Sequence, residues 1–480
     1  MSAAIVNPPG LVSCSRENAD QTRSSSGLST WQETTAYRSR DVTAIPAEVS
    51  PRLLTRGRVA VAVVALATAL PRLVVVARER GTILTDFVDK SDRFAVTLVD
   101  SGTFGFLPGR PSAYTQPLYG WFLAALYWPF GHSWLAVGLA QTAVSVLTAL
   151  VVLEIGRQLH SLAVGVVAAL VTTLHPYVIW HDVHANREVL DGLVLAVLVL
   201  LAVLAWEDHS LQAAAATGVV AGIAILGNAR LIALPLAVAV YLAWRLRPPG
   251  RGILTFLTVV VAAAAVVAPW VIRNRIQVGC YAITTDARAL WKANNLNTYD
   301  VLAHGGWIDE VPNLPGGPPW PELAADLTLA HPKHPVTVDE CAQMRLYRHE
   351  VAEFWRHHPG EKARLAGQAV RMLWTPKSSV ASDNEGQGGL TKDVRTTAEP
   401  AFMVLLYVLA LAGLFFAPRF FVALALLLLA YNTAAAMVFA GAVRYRAPWD
   451  FLLALLAAFA LERLWRAVRR RSYGEPSAAR

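Results

Sequence analysis

The chain has 480 residues, a hydrophobic fraction of 55%, a charged fraction of 16% and a formal net charge of +8. This composition is too apolar for the surface of an ordinary soluble domain, and the apolar residues are gathered in long runs with almost no charge. Arginines cluster beside the ends of these runs, as expected where positive charge is retained on the cytoplasmic side of a membrane. The composition therefore predicts an integral membrane protein and argues against a nucleic-acid partner.

The N-terminal residues 1–57 are rich in Ser, Thr, Arg and Pro and lack apolar periodicity. They predict a disordered cytoplasmic tail, because such a segment cannot bury enough apolar surface to fold. The first apolar run begins too far from the N-terminus for a cleaved signal peptide, so we expect it to remain as a membrane anchor. Apolar runs near the roughly 20 residues of a bilayer span then recur along the chain. They predict crossings at residues 58–77, 134–155, 161–179, 188–206, 211–227, 231–246, 253–272, 401–417, 420–439 and 447–466.

The apolar stretch 117–130 is ambiguous, because it is short and another run follows within a few residues. Counting it as a crossing would place the later arginine clusters outside, against the positive-inside rule. We therefore predict an interfacial helix, which leaves ten crossings. Four of its aromatic side chains are expected to anchor it at headgroup level. These are Tyr119, Trp121, Tyr127 and Trp128.

The predicted fold is an all-α polytopic membrane protein with a small domain on the outer face. We divide it into the tail 1–57, an N-terminal transmembrane module 58–272 containing a first outer loop 78–133, a large outer loop domain 273–400, C-terminal transmembrane helices 401–466 and a basic cytoplasmic tail 467–480. Cys280 and Cys341 lie in the outer domain and would meet an oxidising compartment. The sequence gives no distance between them, so we expect two unpaired thiols, with a disulfide as the alternative.

The first outer loop holds an acidic cluster followed by polar residues. Its carboxylates are Asp86, Asp89, Asp92 and Asp100, and the polar residues after them are Arg110, Tyr114 and Gln116. Carboxylates beside a bilayer are costly unless they are paired or hydrated, which favours a general base or a cation site here. A solvated acidic loop is the alternative interpretation.

A second polar cluster follows the predicted third span. Its members are His175, Tyr177, His181, Asp182, His184, Asn186, Arg187, Glu188 and Asp191. Asn186 and Glu188 suit a helix N-terminus, yet carboxylates at 188 and 191 enter the apolar zone, where ionisable groups are usually functional. A metal site at His181 and His184 is disfavoured, because the spacing does not match the helix-spaced ligands of zinc enzymes.

Two basic groups complete the outer face. Arg273, Asn274 and Arg275 end the seventh span, and Arg444, Tyr445 and Arg446 precede the last one. Guanidinium groups bind phosphate well, so a lipid phosphate or pyrophosphate is a natural partner, with headgroup anchoring as the alternative.

Several stretches together resemble the GT-C membrane glycosyltransferases that use polyprenyl-phosphate sugar donors, especially family 39 with its protein mannosyltransferases and lipid A aminoarabinose transferases. The matching stretches are SDRFAVTLVDSGTFGFLPGRPSAYTQPLYGWF, HPYVIWHDVHANREVLDGL, PWVIRNRIQVG, WKANN and RYRAP. They extend from the first outer loop to the last span. The resemblance implies a transferase of the plasma (inner) membrane whose active site faces the extracytoplasmic side.

The resemblance also implies roles for particular residues. An acidic residue of the first outer loop would be the base, which maps to Asp92 or Asp89, and a second acidic residue maps to Glu188. The family's Asp-Glu then Arg-Tyr pattern is altered here, and the aminoarabinose transferases carry Lys-Pro-Pro where this chain has Gln-Pro-Leu. Phosphate contact is therefore expected from Arg273, Arg444 and Arg110. The predicted donor or acceptor pocket comprises Tyr114, Gln116, His184, Arg187, Asn274, Tyr445 and Arg446.

The predicted reaction is transfer of a sugar, with inversion, from a polyprenyl-phosphate donor in the membrane lipid to a hydroxyl of a glycan, lipid or protein acceptor. No metal and no nucleotide cofactor are expected, with a divalent cation at the acidic cluster as the weaker option. One alternative is a lipid or solute transporter, which would need intramembrane charges and predicts paired repeats and broken helices near the bilayer midplane. Another is a non-enzymatic membrane protein of envelope assembly.

Overall fold

The structure is a computed structural model, and it describes residues 51–79, 90–246, 248–317, 338–377 and 397–472. Residues 1–50 of the predicted tail lie outside these ranges, and so do Asp86 and Asp89 of the first outer loop. The first helix begins at Pro51, so the last seven residues of the predicted tail are helical. At the other end, the last helix runs on to Ser472, into the predicted basic tail.

The described residues form helices and no β-strand, which confirms the predicted all-α class. The N-terminal helices are α1 (Pro51–Glu79), α2 (Lys90–Ser101), α3 (Pro117–Phe130), α4 (Trp134–Leu159), α5 (Leu162–Thr173), α6 (Pro176–His181), α7 (Glu188–Glu207), α8 (Leu211–Gly227), α9 (Leu234–Arg245) and α10 (Pro249–Gln277). The outer helices are α11 (Arg288–Lys292), α12 (Thr298–Ala303), α13 (Glu340–His357) and α14 (Pro359–Trp374). The C-terminal helices are α15 (Glu399–Gly413), α16 (Arg419–Val438), α17 (Val443–Arg446) and α18 (Asp450–Ser472).

Five of the described helices are long and apolar enough to cross a membrane. They are Gly57–Arg78, Trp134–Leu159, Glu188–Glu207, Pro249–Gln277 and Arg419–Val438. Three shorter apolar helices accompany them, namely Leu162–Thr173, Leu211–Gly227 and Glu399–Gly413. The chain is thus a multi-pass membrane protein, whereas the count of ten crossings stays a prediction.

Small residues allow neighbouring membrane helices to approach closely. A Cβ atom added to Gly218 of α8 would lie 2.4 Å from the carbonyl oxygen of Val259 in α10. One at Gly222 would lie 2.7 Å from the Cβ of Val266. In lipid, packing of this kind replaces the hydrophobic effect as the force that joins helices. The glycines therefore fix the distance between α8 and α10.

The contacts at the helix ends separate two sides of the protein. His160, after the C-terminal end of α4, lies 2.9 Å from Glu462 in the second half of α18. Arg245 at the end of α9 donates to the carbonyl of Arg419 at the start of α16. These positions are the predicted cytoplasmic ends. The side of the protein formed by the opposite helix ends is called the outer end below. It carries the first outer loop, the turns at 182–187 and 228–230, and α17.

The predicted interfacial helix is α3, which has 14 residues, and its place in the interface stays a prediction. Trp121 and Trp128 are 39% and 82% exposed, as expected of anchors. The prediction is wrong for Tyr119 and Tyr127, which are buried. The Tyr119 hydroxyl donates to Gln141 of α4 at 2.8 Å, so this face of the helix packs on protein.

The outer domain is joined to the membrane helices by a disulfide and a buried carboxylate. Cys280 and Cys341 form a bond with an S–S distance of 2.03 Å, so the expectation of unpaired thiols is wrong. The carboxylate of Glu340, next in sequence, accepts hydrogen bonds from Ser112, the Ala113 amide and Thr285. Burial raises the pKa of Glu340, although these donors oppose the shift. The start of α13 is thereby tied to the first outer loop.

Candidate functional site

Glu188 is held at the outer end by a rigid turn that precedes α7. The Asn186 amide donates to the carbonyls of His181 and His184, and its oxygen accepts from the amide of Val189. This side chain thus caps the helix in the way that favours Asn before a first turn. Glu188 is the first residue of α7 and is 7% exposed. The helix dipole stabilises a carboxylate at this position.

Arg444, a predicted phosphate-binding residue, lies beside Glu188. Its Nε lies 3.6 Å from Glu188 Oε1, and its Nη2 donates to the Tyr445 hydroxyl at 3.0 Å. The guanidinium also lies over the Trp307 ring, 5.6 Å from its centroid. Its side chain is 34% exposed, against 7% for Glu188. A predicted phosphate-binding cation and a predicted catalytic carboxylate therefore share one site.

Arg230, which sequence reasoning missed as a site residue, joins them from the turn after α8. Its guanidinium lies 3.9 Å from the centroid of the Tyr445 ring and donates to the Ala440 carbonyl at 2.8 Å. Burial, together with the nearby Arg187 and Arg444, lowers the pKa of Arg230 to about 10. The signal in the sequence was an arginine in an outer turn, against the positive-inside trend.

One helical turn after Glu188, the carboxylate of Asp191 accepts a hydrogen bond from Asn228 at 2.9 Å. Glu188, Asp191 and Arg230 line one small cavity with Tyr445. Glu188 also lines a second cavity of about 50 Å³ that extends between the membrane helices. The carboxylate of Glu188 therefore lies where two cavities meet.

Gln116 and Arg187 connect the first outer loop to this site. Gln116 is the residue before α3, and its side-chain oxygen accepts from Arg187 Nη1 at 3.1 Å. Arg187 precedes Glu188 in the chain. We call the set of Arg187, Glu188, Asp191, Arg230, Arg444 and Tyr445 the arginine–glutamate cluster. It combines three guanidinium groups with two carboxylates, so it has the charge to receive an anionic group.

The structure gives Arg273 and Asn274 a different role from the predicted one. Arg273 donates to the carbonyls of Ser112 and Phe104 and to the side chain of Asn274, at 2.8 to 3.1 Å. Asn274 is fully buried and donates to the Ala282 carbonyl. Both residues therefore hold the first outer loop and the outer domain against the end of α10. Arg110 is exposed in the same loop, and none of the described contacts joins it to the cluster.

Arg446 and His184 also lie apart from the cluster and are buried. Arg446 is fully buried and pairs with Asp450 at 3.2 Å. His184 is fully buried as well, with its Nδ1 2.8 Å from the Trp180 carbonyl oxygen and its ring packed on the Trp180 ring. The prediction that these two side chains line the substrate pocket is wrong, because both complete the packing of the helices.

Two carboxylates of the first-loop acidic cluster lie among the described residues: Asp100 is exposed, and Asp92 is engaged elsewhere. Asp92 accepts from the Tyr127 hydroxyl at 2.5 Å and lies 3.0 Å from His132 Nε2. None of the described contacts joins it to Glu188 or Arg444. Tyr114 is also buried, and its hydroxyl accepts from Arg288 at 3.2 Å. Burial raises the pKa of Tyr114 far above its ordinary value.

Within the described residues, no group of three or more His, Cys, Asp or Glu side chains is placed to hold a metal ion. The carboxylate of Asp182 accepts from Arg72 and Ser145, so this residue ties α1 and α4 together. The reaction's independence of metals stays a prediction, since Asp86 and Asp89 lie outside the described residues.

The family comparison falls on the segment that supplies most of this cluster. The sequence model of the dolichyl-phosphate-mannose-protein mannosyltransferase family matches residues 110–272. That range is less than half of the chain, and it includes Gln116, Arg187, Glu188 and Arg230. The family resemblance is confirmed. No curated protein sequence matches the chain.

Two solved structures illustrate the likeness of the fold. The archaeal oligosaccharyltransferase AglB from Archaeoglobus fulgidus, in complex with an inhibitory peptide and a dolichol-phosphate, is 11% identical, with 88% of this chain and 52% of that chain covered and a TM-score of 0.49. ArnT from Cupriavidus metallidurans, bound to undecaprenyl phosphate, is 14% identical, with 88% and 80% covered and a TM-score of 0.39. The chain spans about half the length of the archaeal protein. Neither likeness assigns a role to a residue.

Proposed function

We propose that the protein is a membrane glycosyltransferase that moves a sugar from a polyprenyl-phosphate donor to an acceptor hydroxyl at the outer end. The observation that carries the proposal is the placement of Arg230 and Arg444 on the Tyr445 ring beside the carboxylate of Glu188. The matching family model supports the reaction class.

The two arginines suit the leaving group of this reaction. As the bond between the anomeric carbon and the phosphate oxygen breaks, negative charge grows on the departing polyprenyl phosphate. Guanidinium groups match phosphate oxygens in geometry and in charge, and in a partly buried site such contacts stabilise developing charge strongly. The rings of Tyr445 and Trp307 limit the orientations open to Arg444. We therefore assign the phosphate to Arg230 and Arg444, in place of the predicted Arg273 and Arg110.

Glu188 suits the role of general base. The acceptor oxygen forms a bond to the anomeric carbon from the face opposite the phosphate, its proton passes to the carboxylate, and the configuration at that carbon is inverted. Among the predicted catalytic carboxylates that the structure describes, Glu188 lies in the arginine–glutamate cluster. Asp89 keeps its predicted role as the alternative base. Asp92, bonded to Tyr127 and His132, is assigned to positioning α2 against α3.

The test is transfer of radiolabelled sugar from a panel of polyprenyl-phosphate donors in membranes that contain equal amounts of each variant. Glu188→Gln and Arg444→Gln are expected to lower the rate at least a hundredfold, since general bases and charge-stabilising donors each contribute factors of about 10²–10⁴. Asp92→Asn is expected to lower it less.

Glu154→Gln is the matched control, because Glu154 pairs with Arg157 at the cytoplasmic end and is far from the cluster in the fold. It should retain full activity. Transfer by Glu188→Gln at the wild-type rate would remove Glu188 as the base. Absence of transfer from every donor by well-folded wild type, with movement of labelled lipid or solute across sealed vesicles instead, would replace the proposal by the transporter alternative.

A further inference from the structure

A third cavity, lined largely by polar residues, lies between the start of α2 and the outer domain. It has a volume of about 460 Å³ and is open to solvent. Its cations are Lys90, the first residue of α2, and Arg288 and Lys292, which begin and end α11. Lys292 belongs to the WKANN stretch, whose role the proposed transfer reaction does not explain.

The floor of this cavity concentrates positive charge in a poorly hydrated place. Arg288 and Lys292 are 6% and 3% exposed. Burial lowers the pKa of Lys292, repulsion from Arg288 and Lys90 lowers it further, and the carboxylate of Asp309 opposes the shift. The half-buried Asp286 lies 3.1 Å from Lys90 but does not line the cavity. The two carboxylates of the lining, Asp309 and Glu310, are exposed at the rim. Water screens charges at a rim much more than charges on a buried floor. An anionic group on the floor would therefore relieve the repulsion that Arg288 and Lys90 exert on Lys292.

Two chain segments connect this cavity with the arginine–glutamate cluster. The ring of Trp307 lies 6.2 Å from that of Tyr445, and Asp309, two residues later, lines the cavity. On the other side, Arg288 donates to the Tyr114 hydroxyl, and Tyr114 lies two residues before Gln116, the partner of Arg187. The cavity thus adjoins the site where the donor phosphate is proposed to bind.

We infer that the cavity formed by Lys90, Arg288 and Lys292 is the acceptor subsite and that it binds a phosphate or carboxylate group of an anionic, hydroxyl-bearing acceptor. The assignment of this cavity to the acceptor rests on the proposed function, whereas the binding of an anionic sugar in it can be measured without any transfer. It adds a substrate class to the reaction. An acceptor held by its charged group would present its hydroxyl toward Glu188.

The experiment measures binding of mannose 6-phosphate and of mannose to the purified full-length protein in detergent by titration calorimetry. Mannose 6-phosphate is expected to bind, and mannose to bind at least tenfold more weakly, because only the former carries the anionic group. Lys292→Gln and Lys90→Gln should each weaken mannose 6-phosphate binding at least tenfold, as expected when a hydrogen bond to a charged group is lost. Thermal unfolding of each variant checks its fold, and Lys90, whose side chain is 30% exposed, is the safer substitution.

Arg345→Gln is the control, since Arg345 is an exposed cation of α13 outside the cavity, and its affinity should match wild type. Equal affinities for the two sugars, or wild-type affinity in folded Lys90→Gln and Lys292→Gln, would overturn the inference. So would a loss confined to Arg444→Gln, which would assign the anion to the donor site. Binding that follows the expected pattern in a protein without transferase activity would keep the anion site and reject the proposed function.

Discussion

Replacement of Arg446 is expected to unfold the C-terminal helices rather than to weaken phosphate binding. The side chain is fully buried, and both carboxylate oxygens of Asp450 lie 3.2 Å from its Nε. Its Nη1 donates to the carbonyls of Leu373 and Thr375 and to the Tyr407 hydroxyl, at 2.6 to 3.1 Å. One guanidinium thus joins the end of α14, the middle of α15 and the start of α18.

Arg446→Met keeps the approximate length of the side chain but leaves Asp450 as a buried charge beside His175, whose Nε2 lies 3.5 Å from the carboxylate. Loss of one partner from a buried ion pair costs about 3–5 kcal/mol. The double variant Arg446→Met with Asp450→Leu removes the orphaned charge as well, so it should recover a large part of that loss. A well-packed apolar replacement of a buried pair is often neutral in stability.

The assay is unfolding of the purified protein by sodium dodecyl sulfate in mixed micelles, followed by tryptophan fluorescence. Arg466→Met is the matched control, because Arg466 pairs with Glu462 at the predicted cytoplasmic end and half of its side chain is exposed. That change should cost at most about 1 kcal/mol. A loss below about 1 kcal/mol in Arg446→Met, or a double variant less stable than the single one, would refute the structural role given to Arg446.

Three other predictions test the outer domain. In a Cys14→Ser background, Cys280 and Cys341 should resist maleimide in intact cells and react after reduction, because they are joined in a disulfide. Labelling before reduction would contradict that disulfide. Asn294→Ala should destabilise the protein by about 1–3 kcal/mol in the same detergent assay, since this fully buried amide bonds to groups of three outer helices and to the end of α16; an unchanged midpoint would argue against this role. Affinity for mannose 6-phosphate should fall as the pH rises through the lowered pKa of Lys292, which lies below the ordinary lysine value of about 10.4. If the affinity does not change up to a pH of about 10.4, the Lys292 ammonium is excluded as a contact.

The helices were predictable because lipid imposes a length and a composition on each span. The predicted crossing 188–206 is the observed α7, Glu188–Glu207, and the predicted 211–227 is α8. The predicted crossing 161–179 is instead divided into α5 and α6, with a break at Leu174 and His175, just before Pro176. A proline is favoured at the first position of a new helix, so this boundary was visible in the sequence.

Distances between remote segments were not available from the sequence. Cys280 and Cys341 are 61 residues apart, and their pairing depends on how the start of α13 docks on the end of α10. The same holds for Arg273. An arginine at an outer helix end suits a phosphate, but here its donors reach the carbonyls of Ser112 and Phe104, more than 150 positions earlier in the chain.

Part of the error over RYRAP could have been avoided by helical geometry. Residues two apart on a helix point in widely different directions, whereas residues three or four apart share a face. Arg444 and Arg446 both lie in α17, so they could not have approached one phosphate together. The structure places Arg444 toward Glu188. Arg446 instead points toward Asp450, which follows it by four residues in the chain. The i, i+4 carboxylate was visible in the sequence as a partner for Arg446. Once Arg446 is paired in this way, Arg444 needs a second cation from elsewhere in the fold, and Arg230 supplies it across the Tyr445 ring.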